Sequence, residues 1–142
     1  MTFRIIDTGM VTIARNPFYQ LRVEETENRL YIIIKGAWDT QQELSHYAGH
    51  IKEALAILHP GFSILCDMRE MGECSAAVQE IFLNVQRMIM AAGVDQIAEV
   101  HTLHNPGSEM AIELAKESKI PLNIFDSPED ALAWLSDLPT QP

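Results

Sequence analysis

The residues best equipped for chemistry gather between positions 67 and 75, where Asp67-Met68-Arg69 closes an apolar run and Ser75 opens an amphipathic one. An aspartate at a strand end can accept a phosphoryl group, and a serine at a helix start can carry a phosphate that the helix amides and dipole stabilise. Each also has a purely structural role: Asp67 as an acceptor for loop amides or a partner of Arg69, and Ser75 as an N-cap. A phosphoacceptor aspartate further needs an acidic pair for Mg²⁺ and a lysine after the last strand, but that strand ends in Phe125-Asp126-Ser127. Asp67 is therefore read as a structural partner. Arg69 is the one base in a corner that also holds Asp67, Glu70 and Glu73, so a phosphate on Ser75 would face carboxylates. The corner is expected to work unmodified, with Ser75 as the candidate phosphoacceptor if one is used.

Other sets are thinner. His46 and His50 have the i, i+4 spacing that lets two imidazoles share a metal on a helix, but Tyr47 stands where a zinc-peptidase glutamate would be. His101 and His104 point to opposite faces if they lie on a strand. No third ligand can be named, so neither metal nor cofactor is expected. Ser63 lies inside an apolar run, no Gly-x-Ser-x-Gly elbow is present, and no glycine-rich phosphate loop is found. Catalysis is the minority reading. Trp38, Tyr47 and His104, with Met88 and Met90 nearby, are candidates to line an apolar ligand pocket, although rings and methionines at helical spacing also serve as core.

These residues need elements to position them. Residues 18–24 and 29–35 are β-rich runs joined by Glu25-Thr26-Glu27-Asn28, a polar connection of hairpin length. Gln20, Arg22 and Glu24 give the first run a wet face, which suits an edge strand. A short strand is expected at Val11-Thr12-Ile13 within an otherwise undefined extension, residues 1–17. Thr40-Gln41-Gln42-Glu43 reads as a capping box before a helix whose stripe is Leu44, Tyr47, Ile51, Leu55 and Leu58. The run 62–67 reads as a central strand ending at Asp67, and 67–75 as a loop. A second helix follows from Ser75 with the stripe Val78, Ile81, Phe82, Val85 and Ile89; then come a strand over 97–103 and a third helix from about Ser108. A strand at 121–125 and a helix capped by Ser127-Pro128 and stopped by Pro139 complete the chain. The order predicts one α/β domain over 1–142. Its single mixed sheet has about five strands, an antiparallel hairpin start and then parallel β-α units, with four helices.

Composition narrows the partners. Twenty acids against ten Lys and Arg give a net charge of -10, which repels a phosphate backbone, so nucleic acid and anionic membrane are excluded as partners. No apolar run is long enough to span a membrane, no signal peptide is evident, and the two cysteines, Cys66 and Cys74, suit a reducing cytoplasm. A hydrophobic fraction of 47% can fill one core without a staple. The wet-faced strand at 18–24 offers backbone that either the first seventeen residues or a second copy must cover, which makes a homodimer one expectation.

Over residues 18–138 the order of elements resembles the STAS domains of anti-sigma-factor antagonists. In that family the central strand ends Asp-Leu-Ser and Asp-Ser-Ser-Gly opens the next helix; Asp67-Met68-Arg69 and Cys74-Ser75-Ala76-Ala77 stand at those places. Gly36-Ala37-Trp38 and Asp67-Met68-Arg69 are also similar to the Gly-x-Trp and Asp-x-Arg of STAS-like relatives of unknown function that share an architecture with CRAL-TRIO lipid-transfer domains. The resemblance implies a non-catalytic regulatory or protein-interaction module that uses the loop 67–75 and the start of the second helix. The alternative is a carrier or sensor of a small apolar ligand held between helices and sheet.

Overall fold

The computed structural model describes residues 9–38 and 41–138. In chain order the elements are β1 (Met10–Arg15), β2 (Tyr19–Glu24), β3 (Arg29–Gly36), α1 (Gln41–Ile57), β4 (Ser63–Met71), α2 (Ala76–Ala91), β5 (Gln96–Val100), α3 (Pro106–Ser118), β6 (Leu122–Phe125) and α4 (Pro128–Ser136). They form one mixed α/β sheet in the order β1-β2-β3-β4-β5-β6. The first three strands are antiparallel, and β3 to β6 run parallel.

The placement of the helices follows from that order. Strands added always on the same side, through crossovers of one hand, send α1, α2 and α3 to one face. There they cover Leu30, Ile32, Ile34, Ile64, Cys66 and Ile97. No strand follows α4, which folds over the opposite face against Leu65, Ala98 and Val100. Leu65 is thus buried in a central strand parallel to β5, as its sequence setting predicts.

The expected antiparallel start, parallel remainder and four helices are all present, with five differences in detail. The sheet has six strands, because β1 pairs along β2 with a bulge between Thr12 and Ala14. The run 18–24 is therefore not an edge strand; β1 covers it and is the outer edge of the described sheet. β4 does not end at Asp67 but continues to Met71. β5 stops at Val100 instead of 103, because β6 ends at Phe125, whose carbonyl accepts the last ladder bond, from His101 N, at 3.0 Å. Beyond it the chain turns, with His104 in the left-handed region at φ 63°. α3 begins at Pro106, two residues before Ser108, because Asn105 caps it by accepting from Gly107 N at 2.8 Å. The capping box at Thr40 and the stop at Pro139 lie outside the described residues. The caps expected at Ser75 and Ser127 are present, accepting from Val78 N at 3.3 Å and Asp130 N at 3.1 Å.

Candidate functional site

The end of β4 owes its shape to a bulge. Ile33 pairs with Asp67 but Lys35 pairs with Glu70, so Met68 and Arg69 together oppose the single residue Ile34. The extra residue shifts the alternation of the strand. Ile64, Cys66 and Met68 face the core, and so does Met71, while the consecutive Arg69 and Glu70 both face solvent. An unbulged strand would have turned Glu70 inward and Met71 outward.

The Asp-x-Arg pair holds this bulge. Arg69 donates three times to the Asp67 carboxylate: from its backbone N at 3.2 Å and Nε at 3.0 Å to Oδ1, and from Nη2 at 2.8 Å to Oδ2. Burial raises the Asp67 pKa, but the hydrogen bonds and charge of Arg69 outweigh it and hold the carboxyl below its ordinary value. The Arg69 carbonyl accepts from Asn105 Nδ2 at 3.1 Å, tying the bulge to the start of α3.

The corner 72–75 is fixed from other elements. Gly72 N donates to Gly36 O at 2.9 Å, at the end of β3. Cys74 N donates to Met110 Sδ at 3.4 Å on α3, and the Cys74 carbonyl accepts from Gln79 Nε2 at 2.9 Å on α2. Gly107, in the first turn of α3, packs so closely that an added Cβ would lie 2.6 Å from the Met71 carbonyl carbon and 2.8 Å from that of Gly72. Arg69, Glu70, Glu73 and Ser75 are exposed around this fixed backbone.

Asp67, Arg69 and Ser75 thus share one end of the sheet, with Met68 buried beneath as an anchor. Trp38 and Tyr47 pack together in the core, and His104 lies apart from them. Trp38 is fully buried, donates from Nε1 to Lys35 O at 2.8 Å, and sits in a ring cluster with centroids 5.2 Å from Tyr47 and 5.1 Å from Phe82. Burial pushes the Tyr47 hydroxyl well above its usual pKa, and it does the same to the Cys66 thiol. His104 lies in the turn after β5, on a separate groove with His101, Ser108 and Ile124. His50 accepts or donates at 2.6 Å with the Tyr19 hydroxyl. Among the described residues no three His, Cys, Asp or Glu side chains are grouped to hold a metal.

Two features escape the sequence reading. One is Asn105, at once a helix cap and a clasp on Arg69, whose only signal is its place before Pro106. The other is a buried pair in which His101 Nε2 meets Glu99 Oε1 at 2.8 Å. Its signal is an acid inside an apolar strand with a histidine two residues on, where side chains share a face.

This architecture is found in solved structures. A DUF3478-family protein with a SpoIIAA-like fold, from Shewanella loihica PV-4, superposes with a TM-score of 0.66 at 17% identity, over 86% of this chain and 97% of its own. The fold is STAS-like. Apo-SiaC from Pseudomonas aeruginosa shares this STAS-like fold, with a TM-score of 0.55 at 11% identity over 81% of this chain and 97% of that one. A chain in the complex of diguanylate cyclase SiaD with its activator SiaC, from Pseudomonas aeruginosa, matches with a TM-score of 0.52 at 12% identity over 80% and 97%. No family model and no curated protein matches the sequence. The resemblance to STAS domains is therefore shown at the level of the fold, and no helix among the described residues is long and apolar enough to cross a membrane.

Proposed function

We propose that this chain is a non-catalytic STAS-like regulatory module that docks a partner protein through the end of β4, the corner 72–75 and the first turn of α2. The observation that carries the reading is the bulge clamped by Asp67 and Arg69, which fixes two consecutive charged side chains outward on backbone held by β3, α2 and α3. A surface held in one conformation loses little entropy when a partner docks. The fold neighbour SiaC, an activator in complex with a diguanylate cyclase, supports a role exercised by binding.

The unmodified corner is the docking form. Arg69 is already engaged in two side-chain bonds with Asp67, so a phosphate on Ser75 would have the helix amides but would face Glu73 and Glu70. With Arg69 neutralised by Asp67, the exposed remainder is acidic and selects a partner with a basic patch. Ser75→Asp keeps a competent N-cap and Arg69→Ala leaves the core untouched, so both should hold their melting temperature within a few degrees while changing capture of the same partner band from a cytoplasmic extract, the first by adding an acid outside the pattern of Glu70 and Glu73 and the second by releasing the bulge. Unchanged capture by both variants would remove this corner as the site.

A further inference from the structure

We propose that the groove between the turn 101–105, the first turns of α3 and the outer strand β6 binds a small neutral molecule, which presents a hydroxyl to His101 Nδ1 and Ser108 Oγ and lays an apolar body against Ile112 and Ile124. The site is separate from the docking corner and needs no partner protein.

His101 and Ser108 are 6% and 2% exposed, and both line this groove of ≈ 640 Å³. That volume falls in the range of about 300–1,000 Å³ usual for small-molecule sites. Neither His101 Nδ1 nor Ser108 Oγ has a hydrogen-bond partner among the described residues. Buried polar atoms are almost always paired, and both of these orphans belong to residues that line the same groove, which makes a group bound there the candidate partner for each. Leu103, Ile112, Ile124 and Phe125 give the groove an apolar side among the polar Thr102, His104, Glu109 and Asp126, and that side is open: Leu103 is 84% exposed at the lip and Ile124 51% exposed on β6. The other exposed large apolar side chains among the described residues, Met90 and Leu132, are less so, at 41% and 39%.

The hydrogen-bonding roles select the head group. An ionised Glu99 can only accept from His101 Nε2, which in the neutral ring makes Nδ1 an acceptor in need of a donor. The Ser108 hydroxyl has a proton to give. A ligand hydroxyl donates to one and accepts from the other, satisfying both with a single uncharged group. A carboxylate cannot donate to Nδ1, and it would meet Glu109 and Asp126, which also line the groove. An ammonium can donate to Nδ1 but cannot accept from Ser108, and it must shed its water against Ile112, Ile124 and Phe125.

The test uses three probes with one tail, 1-octanol, octanoate and octylamine, titrated into the whole chain and followed by backbone and imidazole NMR. The expected result is saturable shifts with 1-octanol at His101, Ser108, Ile112 and Ile124, and binding of the two charged probes at least tenfold weaker. Ser108→Ala should weaken 1-octanol about fivefold by removing one hydrogen bond. Leu103→Asp, at an exposed lip, should weaken it as well with the spectrum otherwise preserved. Shifts that centre elsewhere, no saturation up to the solubility limit, equal or tighter binding of octylamine or octanoate, or unchanged affinity in a folded Ser108→Ala protein would each overturn the assignment.

Discussion

Replacing Gly107 by alanine tests the contact that seats α3 against the end of β4. The new Cβ would lie against the Met71 carbonyl oxygen, 2.6 Å from its carbon and 2.8 Å from the Gly72 carbonyl carbon. All three atoms are backbone, so no rotamer change relieves the clash and either the corner or the helix start must move. Overpacking of this kind costs ~1–3 kcal/mol, against which alanine in a helix regains at most ~0.5–1 kcal/mol. The expected net loss is ~1–2 kcal/mol, or roughly 3–7 °C in Tm for a chain of this size. Gly49, inside α1, is the control: an added Cβ meets nothing within 4 Å, so Gly49→Ala should gain ~0.5–1 kcal/mol. Urea unfolding of wild type and both variants reads the two signs in one experiment. On the docking reading, Gly107→Ala also loses partner capture, because Asn105 and Arg69 can no longer meet. A Gly107→Ala protein as stable as wild type would refute the account of the corner as tightly braced.

Three further outcomes are expected. Leu65→Ala, beneath α4 with Ala98, Val100 and Leu135, should cost ~2–5 kcal/mol in chemical denaturation, and a loss within ~0.5 kcal/mol would mean that α4 does not seal that face. Asp67→Asn should cost no more than ~1 kcal/mol at neutral pH, because Arg69 is 43% exposed and the pair is screened. A carboxyl whose folded pKa is lowered adds stability that is complete above its unfolded value near ~4 and drains as pH falls through the folded value, so the two melting curves should converge below pH ~4; a constant gap into acid would exclude the ion pair as the cause. Ser75→Ala should cost ~1 kcal/mol through the lost cap on Val78 N while Ser75→Asp costs less, and equal losses in thermal melts would deny Ser75 that role.

The parts of the fold that the sequence made legible are those decided by local pattern. The buried run at Ile64 and Leu65, the stripes of α1 and α2, and the caps Ser75 and Ser127 depend on neighbours within a turn or a strand. What the pattern could not give depends on partners far along the chain. β4 looked finished at Asp67 because a charged residue follows the apolar run, yet β3 extends beside it and the bulge at Met68 and Arg69 lets pairing continue to Met71. In the same way the alternation of the sequence runs on past Val100, while the end of β5 is set by the last residue of β6 and not by anything in its own composition. The pairing of Asp67 with Arg69 was readable from spacing alone. The clasp from Asn105 was not, because the two residues lie 36 apart and meet only across adjacent strand ends.

On the docking reading, the bulge also gives a reason for this acidic corner to bind a partner instead of acting as a reagent. A catalytic carboxylate needs a proton to exchange or a charge left free to stabilise, and Asp67 has its charge committed to three donors on one residue. Arg69 is committed in return, so neither member of the pair is available as a reagent. What the pair does instead is geometric: it holds two residues in the space of one, and that doubling brings Glu70 to the surface beside Arg69. The exposed acids Glu70 and Glu73 then stand on backbone that α2 and α3 keep in place, so their field is presented at fixed separation. On the docking reading, that fixed acidic pattern gives the corner its selectivity, because a partner must match both the sign and the spacing of the charges to gain from them.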